Sequence, residues 1–287
     1  MRRLLLLTSA ILAASAALAP LARAGTIDAN VVEGVLTVNG TTGDDGITVR
    51  CEGGNVTVNT ADPSSGPEAC ADLLRIRVFA GDGSDHVSLA DVSRAVFGAL
   101  EEVSVDGEDG GDTVIGSRLG DSINGGGGVD TLRGGDGKDR FDPGTGPGEI
   151  LGGKGKDTVS ASGDGNWYVS NTLLRWTSHA DYPIRSIERI KITGGASSSF
   201  VSGATFSGAL TVDGGGGNDL LASGKGNDTL YGGDGNDFLQ SGDGNDVLEG
   251  GAGDDVLRGD NGNDQMDGGP GDDTCTSGAG ADSVVSC

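Results

Sequence analysis

Residues 214–285 read GGGGNDLLA, SGKGNDTLY, GGDGNDFLQ, SGDGNDVLE, GGAGDDVLR, GDNGNDQMD, GGPGDDTCT and SGAGADSVV, eight nonapeptides in unbroken register. The sixth position is always Asp: Asp219, Asp228, Asp237, Asp246, Asp255, Asp264, Asp273 and Asp282. The fourth is always Gly, and the eighth is always apolar: Leu221, Leu230, Leu239, Leu248, Leu257, Met266, Cys275 and Val284. A period of nine is neither helical nor simply alternating, so it describes a repeated turn-and-strand unit. Gly in the first six positions supplies the positive φ of a tight turn. The last three suffice for a short strand whose middle side chain points inward. Two units make one coil. Stacking coils places Leu221, Leu239, Leu257 and Cys275 in one apolar column and Leu230, Leu248, Met266 and Val284 in the facing one. The predicted fold class is therefore all-β, a parallel β-roll or β-solenoid.

The same register appears earlier. Residues 107–160 read GEDGGDTVI, GSRLGDSIN, GGGGVDTLR, GGDGKDRFD, PGTGPGEIL and GGKGKDTVS, with Asp112, Asp121, Asp130, Asp139 and Asp157 at sixth positions. Leu119 stands where the fourth-position Gly belongs, and Gly148 replaces one sixth-position Asp. Single units precede this array at 40–48 (GTTGDDGIT) and 80–88 (AGDGSDHVS), and 194–202 (GGASSSFVS) has Ser199 in place of Asp. Strand, degenerate unit, connection, Val-Asp and regular array follow one another twice, which reads as an internal duplication. The predicted organisation is 1–24 leader, 25–106 an N-terminal β segment, 107–160 a first roll, 161–213 a connecting β segment, and 214–287 a second roll.

Composition sets the partners. Residues 1–24 have a basic end, an apolar run from Leu4 to Leu18 and Ala22-Arg23-Ala24 before Gly25, the pattern of a secretory signal peptide and too short to span a bilayer. They hold three of nineteen basic residues and no acidic one, so the remainder carries 16 against 43, a net charge of −27. Such a chain repels nucleic acid and anionic membranes and attracts cations. No later stretch resembles a membrane-inserting helix, and the expected location is extracellular. No macromolecular partner is legible. Abundant Gly and few aromatics are also the mark of a disordered chain, but disorder gives no reason for an apolar residue every ninth position. Cys51, Cys70, Cys275 and Cys287 allow three pairings, of which the local pairs 51–70 and 275–287 suit an elongated chain best.

Stacking the coils also stacks the Asp residues. Like charges about 4.8 Å apart repel by roughly 3.5 kcal/mol at an effective dielectric near 20. One apolar side chain per nine residues gives a thin core. A hard dication between successive carboxylates removes the repulsion, and an all-oxygen ligand set without Cys or His selects Ca2+.

These in-register G-G-x-G-x-D-x-U-x units resemble the repeats-in-toxin (RTX) calcium-binding β-roll proteins. The resemblance covers 107–160 and 214–285. It implies several Ca2+ ions, each held between turns one coil apart by two sixth-position Asp carboxylates and alternate turn carbonyls. Carried over, Asp219 pairs with Asp237, Asp228 with Asp246, Asp237 with Asp255, and so on to Asp264 with Asp282. Asp112 pairs with Asp130, Asp121 with Asp139 and Asp139 with Asp157. The implied carbonyl donors include Gly215, Gly217, Gly224, Gly226, Gly233, Gly235, Gly242, Gly244, Gly251 and Gly253. The first array, with Gly148, is expected to be the weaker site.

Many relatives carry an enzyme beside the roll. Here there is no H-E-x-x-H and no G-x-S-x-G, and His86 and His179 stand far apart. No catalytic residue is assigned. The principal expectation is a secreted calcium-binding protein with a structural or adhesive role. The alternative is a polysaccharide-acting β-solenoid enzyme using Arg185, Glu188, Arg189 and Lys191. Trp167 and Trp176 fit packing better than sugar stacking.

Overall fold

The computed structural model describes residues 26–177 and 180–287. The leader predicted over 1–24 and His179 lie outside the described residues. The rest is a two-sheet parallel β-roll, as the period of nine requires, and among the described residues the only helix is one 3-10 turn at Cys70–Asp72. One sheet has thirteen strands and the other fourteen. Successive strands of the chain alternate between the sheets over most of their length, and each pairs in parallel with the strand one coil away.

Register follows the nonapeptide. Leu221 pairs with Leu239, Leu239 with Leu257 and Leu257 with Cys275, while Leu230, Leu248, Met266 and Val284 form the facing column. Both predicted columns are formed. The Leu side chains are fully buried between the sheets, Met266 nearly so, but Val284 in the last coil is 45% exposed. The same core continues through Ile150, Leu132, Val114 and Val87 of the fourteen-stranded sheet and Val159, Phe141, Ile123 and Val105 of the other. Both sheets run on without interruption through 75–106 and 189–216, where the nonapeptide is degraded or absent.

The N-terminal end is closed by antiparallel pairing. Asp28–Val32 folds back on Val35–Thr41 and Asn55–Val58 on Gly46–Glu52, one hairpin ending each sheet. The loop that follows covers both new edges, which would otherwise template pairing with another chain: Ser64 donates its amide to Ala29 O, and Val56 its amide to Glu68 O. Cys51–Cys70 ties the second hairpin to the loop that follows it, and Cys275–Cys287 ties the last coil. Both are the local pairs expected from the sequence.

The one large departure is a three-stranded antiparallel insertion. Asn166–Ser170, Leu173–Trp176 and Ala180–Arg185 stand side by side in the fourteen-stranded sheet between Gly148–Gly155 and Phe200–Thr205, where the other sheet has the single strand Arg189–Thr193. Trp167 and Trp176 stack on each other across the first two strands, with centroids 4.7 Å apart and planes 12° from parallel. They pack as expected.

Close approach of stacked turns calls for glycine at 233, although Glu108 and Asp260 take the same second position in other units with φ +64° and +60°. Gly233 has φ +108°, and a Cβ there would overlap the carbonyl oxygen of Gly215 one coil away. Gly233→Ala is therefore expected to cost on the order of 2 kcal/mol or more in chemical denaturation with calcium present, combining left-handed strain and overlap. Gly98→Ala, on an open loop with no atom within 4 Å of the new methyl, should stay within about 0.5 kcal/mol of the parent.

Candidate metal centre: two columns of stacked carboxylates

The sixth-position Asp ends each turn and precedes each strand, so parallel pairing of strands stacks the Asp residues. Asp219, Asp237, Asp255 and Asp273 fall in the turns entering the fourteen-stranded sheet; Asp228, Asp246, Asp264 and Asp282 fall in those entering the other. The structure brings together every pair predicted eighteen residues apart. Each contact has the same form: the amide of one Asp donates to Oδ1 of the next. The distances are 2.7 Å for Asp219 to Asp237, 2.8 Å for Asp237 to Asp255 and 2.8 Å for Asp255 to Asp273. They are 2.8, 3.0 and 3.0 Å along Asp228, Asp246, Asp264 and Asp282. The first array repeats the geometry at 2.9 Å for Asp112 to Asp130, Asp121 to Asp139 and Asp139 to Asp157.

One oxygen of each carboxylate is thus used. The other is not. Oδ2 is buried and has no hydrogen-bond partner in Asp112, Asp130, Asp139, Asp157, Asp219, Asp228, Asp237, Asp246, Asp255, Asp264 and Asp273. A native fold leaves few buried polar atoms unpaired, and a repeated orphan carboxylate oxygen marks a cation site. Where the unit begins with glycine, the missing side chain makes room for it: a Cβ on Gly232 would land on Asp237 Oδ2 and one on Gly250 on Asp255 Oδ2, whereas Ser223 and Ser241 begin the units of Asp228 and Asp246. Asp282, in the half-exposed last coil, is outside this buried set. Asp121 is satisfied differently, since Ser117 donates its amide to Oδ2 and its hydroxyl to Oδ1, both at 2.7 Å.

Turn carbonyls line the same gaps. The oxygens of Gly215, Gly217, Gly224, Gly226, Gly233 and Gly235 sit against Gly233, Gly235, Gly242, Gly244, Gly251 and Gly253 of the next turn in the stack. Those of Gly224 and Gly242 also accept the amides of Asp243 and Asn261. A Cβ on Gly232 would meet the carbonyl oxygen of Gly250 beside Asp237 Oδ2, and one on Gly250 that of Gly268 beside Asp255 Oδ2, so the oxygens gathered there are carboxylate and carbonyl. Among the described residues no three His, Cys, Asp or Glu side chains converge as a Zn-type centre would need. A hard, oxygen-seeking cation such as Ca2+ fits these residues.

Sequence reading missed three parts of this arrangement. Asp85 and Asp45, in the single units, extend one column: Asp45 donates its amide to Asp85 Oδ1 at 2.7 Å, Asp85 to Asp112 Oδ1 at 2.8 Å, and Asp85 Oδ2 is a further orphan. Their nonapeptide pattern was visible, but the spacings of 40 and 27 residues hid the stacking. Fifth-position side chains form a second ladder of opposite sense, in which Asn236 Oδ1 accepts from the Asp254 amide at 3.1 Å and Asn218 Oδ1 from that of Asn236 at 2.9 Å. Glu188 is half-buried and accepts the Asp157 amide, while Arg185, Arg189 and Lys191 are exposed. Gly148 and Ser199, as expected, contribute no carboxylate.

The fold defined by these features is a cation-binding parallel β-roll. The model of the RTX calcium-binding nonapeptide repeat matches residues 106–141, 115–150, 213–248 and 249–284. Two stretches of the chain, 106–150 and 213–284, are therefore RTX calcium-binding nonapeptide repeats. No curated protein matches it.

Burial raises the carboxyl pKa values without a cation. Asp139 and Asp121 are pushed up to about 7, and Asp85, Asp112, Asp130, Asp228 and Asp237 to about 6; desolvation is the largest cause in each. Hydrogen bonds to the carboxylates oppose the rise, and Asp237 is raised further by the charges of Asp219 and Asp255. A carboxyl with a raised folded pKa stabilises the fold fully below the unfolded value near 4 and ceases to do so as pH climbs through the folded value. In calcium-free buffer the denaturation midpoint is expected to fall as pH rises from about 4 to 7. In millimolar calcium the dependence should reverse over the same window, because the ion binds the ionised form.

Proposed function

We propose that the chain is a secreted calcium-binding roll that holds several Ca2+ ions between stacked turns and acts outside the cell as a structural or adhesive element. The observation that carries this reading is the row of buried Asp Oδ2 atoms without partners, repeated coil after coil in both turn stacks. Each ion sits between two sixth-position carboxylates, with turn carbonyls completing an oxygen shell. In the second roll the carboxylate donors are Asp219, Asp228, Asp237, Asp246, Asp255, Asp264, Asp273 and Asp282. In the first they are Asp112, Asp130, Asp139 and Asp157; Asp121, expected among them, already accepts the Ser117 amide at Oδ2.

Calcium at extracellular levels then stabilises the fold. With a dissociation constant near 10⁻⁴ M and about 1 mM free ion, each site adds roughly 1.4 kcal/mol. Two disulfides suit an oxidising location, and residues 1–24 supply the signal for export. Among the described residues no helix is long and apolar enough to cross a membrane.

Two adjacent side chains test the ligand assignment. Asp237→Ala removes a carboxylate from the column, and calorimetric titration should show fewer calcium equivalents than the parent. Asn236→Ala removes only the exposed bond to the Asp254 amide. It should keep the parent's stoichiometry and lose about 1 kcal/mol of stability. Equal stoichiometry in both variants would remove Asp237 from the ligand set.

A further inference from the structure

The carboxylate column of the first roll does not end where the nonapeptides end. Arg189 pairs in parallel with Thr158, so the residue before it, Glu188, falls opposite Asp157. The Asp157 amide donates to Glu188 Oε2 at 2.9 Å, the same distance at which the Asp139 amide donates to Asp157 Oδ1. Glu188 thus stands in the place of a sixth-position Asp, 31 residues on. Asp157 is 0% exposed, and its Oδ2 has no partner.

The backbone around this pair completes the likeness. One coil earlier, a Cβ on Gly134 would meet Asp139 Oδ2 and the carbonyl oxygen of Gly152. At the junction, a Cβ on Gly152 would meet Asp157 Oδ2 and the carbonyl oxygen of Ser186. Ser186, at φ +54°, therefore presents the carbonyl that a first-position glycine presents elsewhere. The turn Ser186-Ile187-Glu188 has three residues where Gly152–Asp157 has six, and the extra methylene of Glu carries a carboxylate to the position that the shortened turn could not reach with Asp.

We propose that Asp157 and Glu188, with the Ser186 carbonyl, hold a further Ca2+ ion between the turns 152–157 and 186–188, outside the matched repeats. This rests on the reading that the orphan Oδ2 atoms take cations. The ion would do more than extend the column. Glu188 follows directly on the antiparallel insertion Asn166–Arg185, so the ion fastens that insertion to the last coil of the first roll. Next in this stack comes Gly208, opposite which Ala209 pairs with Arg189; it has no carboxylate, and the column stops there.

The insertion carries both tryptophans of the chain, which makes their fluorescence a local reporter. Calcium equivalents by equilibrium dialysis and tryptophan fluorescence during a Ca2+ titration are measured on the parent, Glu188→Gln and Asp237→Ala. Glu188→Gln is expected to lose one equivalent and to shift the fluorescence transition about tenfold to higher calcium. Asp237→Ala should lose calcium from the closing array and leave the tryptophan transition in place. An unchanged equivalent count and unchanged tryptophan transition in Glu188→Gln overturn the proposal. Full binding by Asp237→Ala as well overturns the underlying assignment of ions to the carboxylate columns. Hydrogen exchange on the parent gives an answer that does not depend on the variant folding: the amides of 186–192 should gain protection with calcium. Protection gained in 214–285 but not in 186–192 would likewise overturn the proposal.

Discussion

The whole structure turns on one arrangement, a buried carboxylate that accepts a neighbour's amide with one oxygen and leaves the other without a partner. The amide-to-Oδ1 bonds set the turn spacing at the spacing of the strands and lock the register of both sheets. They also stack like charges inside a low-dielectric turn. The apolar contribution per unit is a single side chain, such as Leu239 or Leu248, and cannot carry that cost many times over. On the proposed reading, fold and ion occupancy are one equilibrium rather than two.

This coupling explains choices along the repeat that propensity does not. Glycine stands at 232 because Asp237 Oδ2 fills the space a side chain there would take. Where the carboxylate is absent, at Gly148 and Ser199, the column that enters the fourteen-stranded sheet is broken. The other column ends at Glu188, opposite which Gly208 has no carboxylate; the column of the closing array starts two residues further along the strand, at Asp228, whose Oδ1 accepts the Leu210 amide at 2.8 Å. Both breaks lie at the antiparallel insertion. Each column has four carboxylates in either half of the stack: Asp45, Asp85, Asp112 and Asp130 in one and Asp121, Asp139, Asp157 and Glu188 in the other on the first-roll side, and four Asp of the closing array in each on the second. The two halves carry columns of the same length, although only the second is regular in sequence.

The period of nine was enough to read the roll, its two apolar columns and the Asp pairs eighteen residues apart, because each follows from a constant offset between coils; the local disulfides were read instead from two cysteines lying near each end of the chain. What escaped was whatever changes that offset. Asp45 and Asp85 were seen as isolated units because 40 and 27 residues separate them from their neighbours in the stack. Glu188 had no pattern at all around it, since its turn is three residues long and its partner lies across an insertion. The insertion itself alternates like any strand, and nothing in Asn166–Arg185 signals that it runs antiparallel inside a parallel sheet. Ser117 shows a different limit: its unit keeps the sixth-position Asp, but the hydroxyl and amide of Ser117 satisfy the carboxylate from within the turn.

Circular dichroism of the chain without residues 1–24, titrated from chelator to millimolar calcium, addresses the dependence of fold on ion most directly. A roll held together by cations between its carboxylates gains most of its strand signal in that titration and loses it again on chelation. A full strand signal in chelator at neutral pH, unmoved by calcium, would contradict the account.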